Sequence, residues 1–413
     1  MDMPSPPSLR LIEQRPFVLF WLARLAATTG YQMLALLIGW KIYALTGSAF
    51  DLGLVGLIQF VPAVVLTLLI GHAADRYDRR TIVRVAQIVY AVAALMITAA
   101  LIAGVLTRDL LFAVVFMIGC ARAFDMPTGH SLVPSLVPPK LLARAVAAWS
   151  SANQVAVISG PALGGLIYAF NPVIVSALCT VFFTAAVVFV TYVRPRSQPQ
   201  SREPPTLRSA LTGFAFIRHR PRLLGVISLD LFVILLGGAT ALLPVYAKDI
   251  LNSGPIGLGL LRSAPAAGAL LTTIVLSHYP IERWIGPAMF ASVAIFGIAT
   301  VAFGLSTWMP LSLVALAVLG ASDSISVVIR FTLVQIETPE DKRGRVSAVN
   351  YLFVGSSNTL GDFESGTVAA WLGAVPAVLI GGLGSLLIAG LWMLFFPTLR
   401  RIDRYEPAND ERS

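Results

Sequence analysis

Twelve long apolar runs dominate this chain. They cover residues 17–43, 50–73, 82–106, 110–136, 142–169, 173–193, 222–248, 255–278, 286–306, 309–335, 345–373 and 376–397. Short breaks rich in charge, proline or glycine separate them. An α-helix needs about 20 apolar residues to cross the hydrocarbon of a bilayer. The pattern therefore predicts an all-α integral membrane protein with twelve transmembrane helices, the long first and eleventh tilted. Composition agrees: 57% of residues are hydrophobic and 12% charged, about half the charged fraction of a soluble domain. That excludes a water-soluble enzyme and a disordered chain. The N-terminal stretch leads straight into the first run without a small-residue cleavage site, so it reads as a retained helix.

The charge distribution predicts the topology. The net charge is +9. With both termini inside, 23 basic residues fall on cytoplasmic segments and three, Lys41, Arg108 and Lys248, on outer edges. This bias is the positive-inside signature of a multi-pass protein of the cell (inner or plasma) membrane, not a sign of nucleic-acid binding. The expected organisation is a cytoplasmic tail at 1–16, a six-helix bundle at 17–193, a cytoplasmic linker at 194–221, a second six-helix bundle at 222–397 and a cytoplasmic tail at 398–413. The linker begins Pro/Ser/Arg-rich, and Leu207 to Arg218 suits a short interfacial helix. Cys120 and Cys179 lie inside apolar runs, and neither cysteines nor histidines show metal-ligand spacing. No cofactor or metal is expected. The expected partners are a small-molecule substrate, protons and membrane lipids, and a monomer suffices.

The two bundles repeat. A shift of 201 residues lays Pro138 on Pro339, Arg144 on Arg345, Gly160 on Gly361 and Gly165 on Gly366. A shift of 203 pairs Gly56 with Gly259 and Pro62 with Pro265. A parallel six-plus-six repeat is a transporter architecture.

Two motifs carry a family resemblance. The segment GHAADRYDRRTIV after the second run resembles the G-x-x-x-D-R-x-G-R-R signature of the major facilitator superfamily through Gly71, Asp75, Arg76, Arg79 and Arg80, with Asp78 in place of the usual glycine. SGPALGGLI in the fifth run resembles the core of the antiporter signature through Gly160, Pro161, Gly164 and Gly165. TLVQIETPEDKRGRV and the opening RPFVLFWLARLAA are similar to the branch of siderophore and macrolide efflux proteins. The resemblance implies a central cavity lined by helices 1, 4, 7 and 10, with 3, 6, 9 and 12 outside. It also implies a cytoplasmic gate in which Asp75 meets the start of helix 11.

Charge within the spans leads to the same arrangement without the family. Such groups are expensive in a bilayer and mark function. Those well inside spans are Arg24, Arg122, Asp125, Asp230, Arg262, Asp323, Arg330, Asp362 and Glu364, and spans 3, 6, 9 and 12 hold none of these. Arg122 and Asp125 share a face of the fourth helix, while Asp323, Ser326 and Arg330 form a stripe on the tenth. Burial favours the protonated form of a carboxylate and a neighbouring arginine the ionised form. Asp125, Asp323 and Asp362 are therefore the expected proton-coupling residues. Tyr31, Gln32, Arg122, Asp230, Arg330 and Asn358 are expected to line the cavity. Arg24 either snorkels to headgroups or pairs inside, and Arg262 is expected to brace a neighbouring helix.

The leading expectation is a proton-coupled antiporter that exports small amphipathic molecules, siderophore or drug-like, by alternating access. The alternatives are a proton-coupled uptake symporter on the same fold and an exporter or scramblase of lipid-linked substrates. The sequence contains no GxxxxGK(S/T), HExxH, CxxC or GxSxG motif, which argues against an ATP-driven pump or an enzyme.

Overall fold

Apolar runs of helical length become helices because the lipid core offers the backbone no other partners. The structure, a computed structural model, describes residues 11–66, 77–194 and 214–405. Among the described residues it is helical, without strands. The first set of helices is α1 (Arg15–Thr46), α2 (Ala49–Val65), α3 (Arg79–Ala103), α4 (Arg108–Leu132), α5 (Leu142–Phe170) and α6 (Pro172–Tyr192). The second is α7 (Pro221–Leu236), α8 (Gly254–His278), α9 (Ile285–Leu305), α10 (Met309–Glu337), α11 (Glu340–Leu372) and α12 (Ala374–Phe395). Side-chain caps start several of them. Ser48 accepts from the Asp51 amide, Thr107 from Leu110 and Asn171 from Val173.

The same pairings recur in both sets. α1 packs on α5 and α6 as α7 packs on α11 and α12. α3 packs on α4 and α6 as α9 packs on α10 and α12, and α2 meets α4 as α8 meets α10. The two sets join along two seams, α2 with α11 and α5 with α8. Exposed apolar side chains mark the outer helices: Val85, Val92 and Leu95 on α3, Val181 and Val188 on α6, Ile298 on α9, Leu383 and Leu387 on α12.

Eight of the described helical stretches are long and apolar enough to span a membrane on length and composition. The four others are α1, α2, α5 and α11. Of these, α2 is apolar and falls short only in the 17 residues described, α5 and α11 are seam helices, and α8, also a seam helix, has the lowest mean hydropathy of the eight, 1.4. Seam helices meet protein on faces that would otherwise meet lipid, so they tolerate more polar residues.

Glycine sets the closeness of the seams. A Cβ on Gly53 would stand 3.0 Å from the Gly366 Cα, and one on Gly56 2.6 Å from the Thr359 carbonyl oxygen. On the other seam a Cβ on Gly165 would stand 3.0 Å from the Gly259 Cα. These approaches lie toward the end of the bundle remote from the chain termini.

The seventh span departs from the single helix expected at 222–248. α7 stops at Leu236. The chain then runs through Gly237 and Gly238, a 3₁₀ turn at Ala239–Leu242, a helical turn at Leu243–Val245 and a π turn at Tyr246–Ile250. The break precedes Pro244. Its cause is the glycine pair, because a Cβ at Gly238 would meet the Ser365 hydroxyl of α11 at 2.5 Å. Of the interfacial helix expected at Leu207 to Arg218, residues 214–218 are helical and the rest lies outside the described residues.

Candidate substrate and proton site

Buried charge must find a partner, and in the first six-helix set it does so across helices. Arg24 of α1 donates to the Asp125 carboxylate of α4 at 3.0 Å, with both side chains almost fully buried. Gln87 of α3 donates to the other Asp125 oxygen at 3.2 Å. The Trp149 ring of α5 lies 5.5 Å from the Arg24 guanidinium. This arrangement decides between two alternatives and corrects one expectation. Arg24 turns into the bundle, not toward headgroups. Asp125 pairs with Arg24 and not with Arg122, because Arg122 turns to Tyr31.

The second set builds the counterpart with the signs reversed. Asp230 of α7 meets Arg330 of α10 at 2.5 Å. So the first helix of one set carries the cation and the first helix of the other the anion. Arg330 is also shared with Asp323 at 3.7 Å. Asp230 takes the closer contact, and Asp323 keeps 44% of its side chain open. Asp125 is closed on every side, whereas Asp323 is held loosely and remains accessible.

Between the two sets lies a polar centre. Arg122 donates to the Tyr31 hydroxyl, stacks its guanidinium 4.8 Å from the Tyr31 ring, and is exposed although it sits in mid-helix. The Tyr31 hydroxyl donates to Gln59 of α2 at 3.2 Å. Arg262 of α8 reaches across to α1, where a Cβ on Gly39 would stand 3.4 Å from its guanidinium. It thus lies against the opposite set, within electrostatic reach of Asp362 and Tyr31. Asp362 of α11 accepts a hydrogen bond from Thr240 at 3.4 Å and feels both Arg262 and Arg122. Thr240 belongs to the 3₁₀ turn after the α7 break, so the irregular backbone delivers a hydroxyl to the centre. Among the described residues neither Arg122 nor Arg262 has a carboxylate within 4.0 Å.

Other expected residues fall elsewhere. Gln32 packs against α5, where a Cβ on Gly160 would stand 2.7 Å from its own Cβ. Gly164 lies against Met33 of α1 and Gly165 against α8, so the fifth-helix motif seats α5 between two neighbours. Asn358 is exposed and donates to the Val354 carbonyl of its own helix. Glu364 accepts from Ser365 at 3.2 Å. Gly71, Asp75 and Arg76 lie outside the described residues. Arg79 donates to the Ser131 carbonyl and Arg80 to the Val193 carbonyl, tying the ends of α4 and α6 to α3. Asp78 has an ordinary φ of −57° and caps α3 through the Arg80 amide, so the turn needs no glycine there. Gln59, Gln87 and Thr240 were not anticipated. The signal available in the sequence was their polarity within apolar runs, with the glycine pair beside Thr240.

A model of the Major Facilitator Superfamily matches residues 20–361. Macrolide efflux protein A of Streptococcus pyogenes is 23% identical over 86% of this chain and 90% of its own length. The enterobactin exporter EntS of Citrobacter koseri is 25% identical over 98% of this chain and 97% of its own. Among solved structures, a bacterial homologue of the human lysosomal transporter Spinster, inward-facing and unoccupied, superposes with a TM-score of 0.76 at 13% identity, covering 97% of this chain and all of that one.

Proposed function

We propose, from the premise that the chain belongs to the Major Facilitator Superfamily, that it is a proton-coupled antiporter exporting small amphipathic molecules across the cell membrane. Both termini and the 194–221 linker lie in the cytoplasm on this reading, and the two six-helix bundles rock against each other at the α2–α11 and α5–α8 seams. The observation that carries it is Asp323. It is open, and Asp230 competes with it for Arg330. A carboxylate so placed takes either a proton or a cationic group of the cargo, and mutual exclusion of the two is the thermodynamic basis of exchange. Asp125, enclosed by Arg24 and Gln87, holds α1, α3 and α4 together. Asp362 balances the charge of Arg262 and Arg122 when cargo is absent. Export, and not uptake, is supported by the names of the relatives and by the fifth-helix glycines.

The test is proton movement in liposomes holding purified protein and a pH dye, challenged with a macrolide and a catecholate siderophore. Proton flux opposite to the cargo is expected, and Asp323→Asn should abolish it while cargo still binds. Cargo flux without proton movement, or unchanged coupling in Asp323→Asn, overturns the reading.

A further inference from the structure

Arg122 and Asp323 are equivalent positions. The 201-residue shift that aligns the two bundles carries one onto the other, so the repeat places them at one depth on facing helices, α4 and α10. Ala113 and Val314 stand nine residues before them, about 180° around each helix, and both are exposed on the outer face. The exposure of Arg122 and Asp323 is therefore toward the inside of the bundle. One wall presents a guanidinium whose contacts are a neutral phenol and its ring. The opposite wall presents a carboxylate that only the distant arm of a shared arginine reaches. The other buried pairs cancel internally, Arg24 with Asp125 and Arg330 with Asp230. Arg262, near Tyr31, is offset by Asp362 of α11, which leaves Arg122 and Asp323 as the two charges without a close partner of their own.

We infer that the central cavity is an electric dipole laid across the internal repeat, and that the cargo it fits is an amphipathic zwitterion. The anionic group lies at Arg122, with Tyr31 and Arg262 beside it, and the cationic group at Asp323. This rests on the transport reading only in placing cargo between the bundles. The field itself is a property of the resting protein. A charge that no opposite charge contacts closely discriminates against a ligand that lacks its complement.

Two measurements test it without transport. Met126 and Val327 stand one turn beyond Arg122 and Asp323 and are themselves equivalent under the shift. Each is replaced singly by cysteine in a Cys120→Ser, Cys179→Ala background whose folding is checked by thermal melting. An anionic methanethiosulfonate should outpace its cationic analogue at Met126→Cys, and the order should reverse at Val327→Cys. Arg122→Gln should reduce the first preference, the remainder being due to Arg24, which stands 3.1 Å from the Met126 sulfur, and Asp323→Asn should erase the second. The same preference at both positions, no response to neutralisation, or no reaction at either site overturns the inference.

The second measurement is equilibrium binding of three xanthene dyes by fluorescence anisotropy: zwitterionic tetramethylrhodamine, its cationic methyl ester and anionic fluorescein. The zwitterion should bind about tenfold tighter than either, one charge-assisted contact being lost in each comparison. Arg122→Gln should remove its advantage over the ester and Asp323→Asn its advantage over fluorescein. Equal binding of all three, or of none, overturns the zwitterion as cargo class. Proton coupling can fail while both results stand, and the dipole can fail while protons still exchange.

Discussion

Arg24 and Asp125 are separated by 101 residues and joined at 3.0 Å. Removing one member of such a pair strands the other as an unpaired buried charge, and Arg24→Ala should cost about 3–5 kcal/mol. Arg24→Gln with Asp125→Asn together should cost less than the two single changes summed, because the pair is lost as a unit. Melting of the four proteins in detergent checks this, and additivity would show that the residues act independently. Asp323→Asn removes an open carboxylate and should leave the melting curve close to that of the parent. The charged residues were all legible in the sequence, but their partners were not. Helical spacing brings Arg122 beside Asp125, and only the packing of α1 against α4 gives Asp125 to Arg24.

Helices were legible wherever an apolar run had charged or glycine boundaries, which is why most of the expected spans meet one continuous described helix each, residues 67–73 of the second lying outside the described residues. The seventh did not, since residues 222–248 read as unbroken in hydropathy while Gly237 and Gly238 interrupt the backbone within them. Gly238→Ala puts a methyl group against Ser365. It should destabilise the protein by about 1–3 kcal/mol through overpacking, and it should depress transport further by shifting Thr240 from Asp362. Gly390 is the matched control: it lies within α12 with open space around it. Gly390→Ala should stabilise by up to about 1 kcal/mol through helix propensity. Melting temperature and initial transport rate, measured on both variants, separate the local conflict from the general effect of adding a methyl group.

At the scale of the whole molecule, the end remote from the termini is closed by the glycine seams and by a contact between bundles in which the Tyr43 hydroxyl donates to Asp249, with Lys248 5.1 Å from the Tyr43 ring. Opening that end requires the contact to break. Tyr43→Phe should shift the population toward the opened form by about 1 kcal/mol, or about fivefold. Faster reaction of a cysteine at Gln59 with an impermeant maleimide applied from that side would register the shift, and an unchanged rate would mean that the hydroxyl does not hold the closure. The two-bundle plan itself was visible as a 201-residue repeat. The reversed polarity of the ion pairs was hidden, since it depends on which helices touch. The opposite charges at the equivalent positions Arg122 and Asp323 bear on how the bundles recognise one another. A pair of first bundles would set Arg122 against Arg122, and a pair of second bundles Asp323 against Asp323. Only one of each gives opposite charges across the axis. Expressed as separate polypeptides, the two should reassemble in a one-to-one ratio, so the repeat that made them alike in shape leaves them strictly heterotypic in pairing.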